Sequence, residues 1–282
     1  MFVVFLRKVT IIVVFAIGQF VFSQNKVSKN SDLRVTYGLD FKKLISSESS
    51  VSENMILIVN DKGSLFTFET MMNLNEVQKV RGVKDDEVLL YRSSYYYLIK
   101  NDGKEISHFE AIGSDTFNFS EKINSVWQLI NQDTLISGYA CKKAVIKQAG
   151  REWRAWYSTD IPVSFGPYKF YGLPGLIMNI KDSENIFNFT VNEIIIGNFD
   201  TPTKVNNFFI NEEDRPFESI KSTDFYALRK RFYQMSLNEK LNYMNRENGA
   251  KQSFVVTNAS GEAPRLNSKP TDRNFIEQYN EK

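Results

Sequence analysis

Apolar and polar residues alternate at period two along Leu33-Arg34-Val35-Thr36-Tyr37-Gly38-Leu39-Asp40-Phe41, the spacing that turns one side of a strand to a core and the other to water. Two hairpins follow. Met55 to Val59 and Leu65 to Phe68 flank Asn60-Asp61-Lys62-Gly63, and Tyr95 to Ile99 and Ile106 to Phe109 flank Asn101-Asp102-Gly103-Lys104; both linkers are rich in residues that tolerate positive φ. Further strands are predicted at Thr116–Phe119, Val126–Ile130, Tyr139–Lys147, Glu152–Ser158, Leu176–Ile180 and Ile186–Ile196. Turn signals recur between them at short spacing, which predicts antiparallel neighbours.

The period changes late in the chain. Phe225, Leu228, Phe232 and Met235, then Leu237, Leu241 and Met244, recur at three and four residues with one short step between the two sets. This predicts one amphipathic helix over about 223–246, capped by Ser222 or Thr223, which either covers a sheet face or lines a hydrophobic cavity. After Gly249 the chain turns polar and irregular, so 250–282 is expected to be a flexible or loosely docked tail.

The first 23 residues have a different pattern. Arg7 and Lys8 precede an apolar run from Val9 to Phe22, and Val21-Phe22-Ser23 suits a cleavage site before Gln24. A run this short is below the ~20 residues of a spanning helix, so a secretory signal peptide is expected rather than an anchor. No second apolar stretch of that kind follows, and no transmembrane segment is expected in the mature chain. The expected location is periplasmic, outer-membrane-associated or extracellular.

Composition then narrows the chemistry. Of 35 Lys+Arg, two leave with the signal segment, and the remaining 33 equal the 33 Asp+Glu, so no bulk charge favours nucleic acid. A hydrophobic fraction of 42 % with 23 Phe and 13 Tyr is enough for a core. The single His108 excludes His-rich metal sites and forces any Ser-His-Asp or Cys-His chemistry through one residue. A lone Cys141 forms no internal disulfide. Asp160, Asp182 and Glu184 have no calcium-ligand spacing, and no cofactor motif is present. The acidic runs 85–87 and 211–214 and the basic run Arg229-Lys230-Arg231 read as solvated faces.

The informative block runs from Trp127 to Ile180. It contains Gly138-Tyr139-Ala140-Cys141-Lys142-Lys143-Ala144, then Ala155-Trp156-Tyr157, Asp160-Ile161-Pro162, Gly166-Pro167, and Phe170-Tyr171-Gly172-Leu173-Pro174-Gly175-Leu176-Ile177. This run closely resembles the GLPGLI family of secreted bacterial proteins, whose six-residue signature stands here without a mismatch. The resemblance implies a family of uncharacterised function and supplies no catalytic residue.

Locally, Pro174 fixes its own φ and pushes Leu173 toward extended geometry, which leaves Gly172 and Gly175 to supply positive φ or close approach. With Pro162 and Pro167 this makes three stiffened bends in 14 residues, suited to a structural crossover or to a preorganised binding surface. Trp153 and Tyr157 share one strand face and Trp156 takes the other, so either both faces are covered or one is a recognition surface. Cys141 reads as a small buried hydrophobe; the alternative is a thiolate favoured by Lys142 and Lys143.

These signals predict a mainly β (α+β) protein: a curved antiparallel meander sheet or open half-barrel over 24–249, with a long C-terminal helix against its concave face. The layout is placed by analogy with periplasmic lipoprotein carriers. The expected function is a non-enzymatic binding or accessory protein of the envelope, holding a hydrophobic small molecule, peptide or outer-membrane partner. The candidate binding residues are Tyr139, Cys141, Trp156, Tyr157, Pro162, Gly166, Pro167, Phe170, Gly172, Leu173, Pro174, Gly175, Leu176 and Ile177. The alternatives are a thiol-dependent or peptidase-like enzyme centred on Cys141 and a purely structural envelope component.

Overall fold

Residues 32–42, 48–69, 97–113, 115–199 and 217–245 are described by the computed structural model. The expected signal segment 1–23, the acidic runs 85–87 and 211–214 and the expected tail 250–282 lie outside them. The alternating segments form strands: β1 (Leu33–Phe41), β2 (Val51–Asn60), β3 (Gly63–Phe68), β4 (Tyr97–Asn101), β5 (Ile106–Ile112) and β6 (Asp115–Glu121). After them come β7 (Gln128–Ile136), β8 (Tyr139–Gln148), β9 (Arg151–Ser158), β10 (Leu176–Asp182), β11 (Phe187–Ile196) and β12 (Glu218–Ser219). They make one sheet in the order β12-β6-β5-β4-β3-β2-β1-β11-β10-β9-β8-β7, antiparallel except for β12 beside β6.

Chain length forces this sheet to curl. β6 and β7 stand ten strand spacings apart, about 48 Å if the sheet were flat. The link between them is only residues 122–127, which spans at most about 25 Å. The result is an open half-barrel whose two margins, β6 with β12 on one side and β7 on the other, face each other across a seam.

Both predicted hairpins form, and turn chemistry fixes them. Asn60 Oδ1 accepts from Lys62 N–H at 3.0 Å, and Asp102 Oδ1 accepts from Lys104 and Glu105 N–H at 2.8 Å each. On the inner side, Leu33, Val35, Tyr37, Leu57, Phe66, Ile146, Trp153, Ile180 and Phe189 join one buried cluster. The chain between β9 and β10, residues 159–175, fills this concavity with Ile161, Val163, Tyr168, Phe170 and Leu173, all at most 5 % exposed. We refer to it as the strap.

The predicted helix lies on the concave face at its β5–β6 margin, since Phe119 continues the inward row of Val35, Leu57, Phe66, Ile99 and His108, but its length is corrected. The helical segment is divided into α1 (Ser222–Gln234) and α2 (Leu237–Asn245). Met235 turns extended, with ψ 144, and Ser236 starts a new helix through a capping box with Glu239: Ser236 N–H and Oγ–H donate to Glu239 Oε2 at 2.7 Å each. Neither Ser222 nor Thr223 caps α1. Lys221 is the N-cap residue and makes no side-chain cap bond, while Asp224 supplies the negative charge that suits the first turn. α1 packs against the β5–β6 margin, where Phe225, Phe232 and Tyr233 join Ile112, Phe117 and Phe119 in a second, smaller cluster.

Candidate functional site

The strap is built by the residues that the sequence singles out. Leu176 N–H donates to Ile161 C=O at 2.9 Å, Gly172 N–H to Ser164 C=O at 2.7 Å and Phe170 N–H to Pro167 C=O at 3.1 Å, so each proline bend is tied by backbone. Gly172 has φ +93, which a side chain tolerates poorly, and a Cβ on Gly175 would meet Ser158 C=O at 2.0 Å. Only glycine lets the strap leave the β9 end this closely. Beyond it, β10 bulges at Met178, and Tyr37 O–H reaches across from β1 to donate to Ile177 C=O at 2.7 Å. Burial raises the Tyr37 phenol well above its ordinary pKa and keeps it a donor.

The fourteen candidate residues divide by exposure. Gly166, Pro167, Phe170, Leu173, Gly175, Leu176 and Ile177 are buried with Tyr157 inside the half-barrel. Gly172 and Pro174 are exposed or partly so, and Tyr139, Trp156 and Pro162 are half-buried. Cys141 is 1 % exposed, and its thiol donates to Tyr139 C=O at 3.4 Å. Burial pushes the thiol up to about 11, which Asp160 reinforces against a backbone hydrogen bond from Ile136. At neutral pH the thiolate fraction is then on the order of one in ten thousand. His108 stands on β5, with seven strands between it and β8 in the sheet order.

His108 belongs instead to a buried ion network that the sequence reading missed. Its Nε2 lies 2.7 Å from Glu121 Oε1 and its Nδ1 3.3 Å from Glu110 Oε1, and the ring stacks on Phe119 at 4.4 Å between centroids. Lys169 of the strap, 1 % exposed, donates from Nζ to Glu121 Oε1 at 2.7 Å and to Tyr226 Oη of α1 at 3.0 Å. Arg229 donates to Glu110 Oε2 at 3.3 Å. Burial alone would raise the Glu121 carboxyl, but His108 and the Lys169 charge override it and hold it at about 2. Burial lowers Lys169 from its ordinary value against the pull of Glu121. The network joins strap, sheet and α1, and its charges are mutually compensated. Its sequence trace is slight: a lysine inside Tyr168-Lys169-Phe170 and acids at Glu110 and Glu121 within strand patterns. Among the described residues, no group of three His, Cys, Asp or Glu could hold a metal ion.

The strap also reaches the seam. Trp127 Nε1–H donates to Tyr171 C=O at 2.8 Å, and Tyr171 O–H donates to Ile123 C=O. A Cβ on Gly172 would lie 3.8 Å from Ser125 and 4.0 Å from Trp127, so the tip Gly172-Leu173-Pro174 sits beside the start of β7. There Val126 and Leu129 are 71 % and 61 % exposed, and Leu135, at the far end of β7, is 74 % exposed. Among the described residues β7 is the sheet margin, paired only with β8, and a two-residue bulge at Asn131–Gln132 interrupts that pairing. The seam therefore combines an open backbone edge, exposed leucines and the signature tip.

A family described as a protein of unknown function, Porph_ging, matches residues 147–179, the span that holds β9, the strap and most of β10. No curated protein matches the chain. Among solved structures, PNGF-II in its C2 and P21 crystal forms is similar at TM-score 0.50 and 14 % identity over 73 % of this chain. The match covers 34 % of the PNGF-II chain in the C2 form, so this protein spans about a third of that relative. An uncharacterized conserved protein from Thermus thermophilus gives TM-score 0.35 at 7 % identity, covering 68 % of this chain and 91 % of that one. A LolA superfamily protein from Nitrosomonas europaea gives 0.28 at 10 % identity, covering 62 % and 90 %. The likeness to PNGF-II concerns the fold, and the two weaker ones carry no argument.

Proposed function

We propose that this chain is an exported, non-enzymatic binding or accessory protein of the bacterial envelope that engages an extended segment of a protein partner at the seam. The observation that supports this reading is the meeting of the start of the β7 edge, where Leu129 is exposed, with the signature tip at Gly172 and Pro174, the edge running on to an exposed Leu135 at its far end. An open sheet edge offers backbone donors and acceptors to an added strand, and neighbouring apolar side chains give selectivity. A hydrophobic small molecule is the weaker reading, because strap side chains occupy the concave face that a carrier would use. The thiol-enzyme reading is weakened by a buried, protonated Cys141 and by a His108 engaged with Glu110 and Glu121.

Export would be verified by a product in the medium or periplasm whose N-terminus is Gln24. For the seam, a photo-crosslinking residue is placed at Leu135 in cells of the producing organism, with Lys62 on the opposite hairpin as control. A discrete adduct at 135 and none at 62, lost in a Leu129→Lys variant that melts like wild type, is the expected result. Equal labelling at both positions, or labelling unaffected by Leu129→Lys, contradicts the seam assignment.

A further inference from the structure

The outer side of the same sheet carries a second surface, composed by strand register. Lys143, Trp156, Asn179 and Thr190 lie side by side across β8, β9, β10 and β11, and the row continues onto Gly38 of β1 and Asn54 of β2. In the adjacent row Arg154, Lys181, Asn188 and Asp40 are neighbours. Every residue of both rows is half-buried or exposed, whereas Ala144, Ala155, Ile180 and Phe189 between them point inward and are buried. An outer face made of amides, a hydroxyl and a tryptophan is not required by the fold, since inward burial is already complete.

The amides are locked in place. Asn179 Nδ2–H2 donates to Asn188 Oδ1 at 2.8 Å, Thr190 Oγ1 at 2.8 Å and Phe189 C=O at 3.0 Å, which leaves its Oδ1 as an acceptor beside Trp156. Lys143 Nζ, held by Gln132 Oε1 at 2.8 Å, lies 5.5 Å over the Trp156 ring. Charge is one-sided here. Lys143, Arg154 and Lys181 lie around Trp156 on this face and Lys147 opposite Glu152 further along, against two acids, Glu152, which sits 3.4 Å from Arg154, and Asp40 at the end of the second row. In a chain that is close to neutral overall, this local excess is a directional preference for an anionic ligand.

We propose that the outer face of β8–β11 is a binding platform for an anionic polysaccharide, one bearing carboxylate or sulfate groups. The C–H face of a sugar ring stacks on Trp156, hydroxyls pair with side chains that both donate and accept, and the acidic groups meet Arg154 and Lys181. The platform is open to solvent and several strands wide, which fits an extended polymer better than an enclosed small molecule. A nucleic acid fits less well, because successive bases call for successive aromatic rings, and the register neighbours of Trp156 in both rows are Lys143, Asn179, Thr190, Arg154 and Lys181.

The test is titration of the purified full-length chain with polygalacturonate and chondroitin sulfate, against neutral dextran, polyglutamate and oligo-dT, followed by tryptophan fluorescence and calorimetry. The expected result is binding of the acidic polysaccharides over dextran, weakened about tenfold or more by Trp156→Ala and largely retained by Trp156→Tyr, with both variants folded at the titration temperature. Arg154→Gln combined with Lys181→Gln should remove the preference over dextran. Undiminished binding by Trp156→Ala, equal or tighter binding of polyglutamate or oligo-dT, or no binding of either acidic polysaccharide overturns the proposal.

Discussion

Trp153 and Trp156 are three residues apart on one strand and have opposite fates. Trp153 is fully buried, donates from Nε1 to Gln148 C=O at 3.1 Å and packs on strap residue Phe170 at 4.7 Å between ring centroids. Trp156 faces outward among cations and amides. The inner face is filled by the chain itself, down to a lysine sealed in an ion network, whereas the outer face and the seam keep their chemistry in water. A half-barrel looks like a container, but this one is occupied by its own strap, which is why the proposed recognition is placed on its outside.

The largest test of that contrast is the pair of tryptophans. Trp153→Ala should cost about 3–5 kcal/mol in urea denaturation, as deletion of a large buried ring does. Trp156→Ala, at a half-buried ring that packs on the core from one side only, should cost about 1–2 kcal/mol, clearly less than Trp153→Ala. Similar losses at both positions would erase the distinction.

The ion network comes next. Lys169→Met leaves Glu121 buried without its ammonium and should cost about 3–5 kcal/mol, most of it recovered when Glu121→Leu is added. The same carboxylate sets an acid dependence. Its folded pKa of about 2 lies below the ordinary 4.5, so its stabilisation is complete above about pH 4.5 and is lost as pH falls toward 2. By linkage this is on the order of 3 kcal/mol, read as a falling urea midpoint that flattens in Glu121→Gln.

Gly175→Ala drives a Cβ against Ser158 C=O and should cost about 1–3 kcal/mol by displacing the strap, measured as a lower melting temperature. The smallest expected effect is at Cys141, which should resist iodoacetamide in the folded protein and react fully once unfolded. Rapid alkylation of the native thiol would reopen the thiol-enzyme reading.

Much of the fold was legible because strand patterning is local. The Leu33–Phe41 alternation, both hairpins and most strands from Asp115 to Ile196 are where period two and turn residues place them. β7 runs Gln128–Ile136 rather than the expected Val126–Ile130, since the polar Asn131-Gln132-Asp133 at its bulge breaks the alternation. The helix break was visible as the short step at Met235–Leu237, and Ser236 with Glu239 spells a capping box, but the continuous apolar stripe outweighed it in the reading. The ion network was not legible, since His108, Glu121, Lys169 and Tyr226 meet only once the sheet has curled and the strap has crossed it. The signature block was found at once, and what its residues face was not, because Gly and Pro report backbone shape rather than surroundings.

The filling of the half-barrel by the strap is tested most directly by native-state hydrogen exchange across residues 159–180, with and without a lysophospholipid. Slow exchange at Leu176–Ile180 and at the hydrogen-bonded amides of Val163, Phe170 and Gly172, unchanged by the lipid, is the predicted result. Fast exchange of the strap, or its release when lysophospholipid is added, would mean that the interior opens to a hydrophobic ligand and would contradict recognition from the outside.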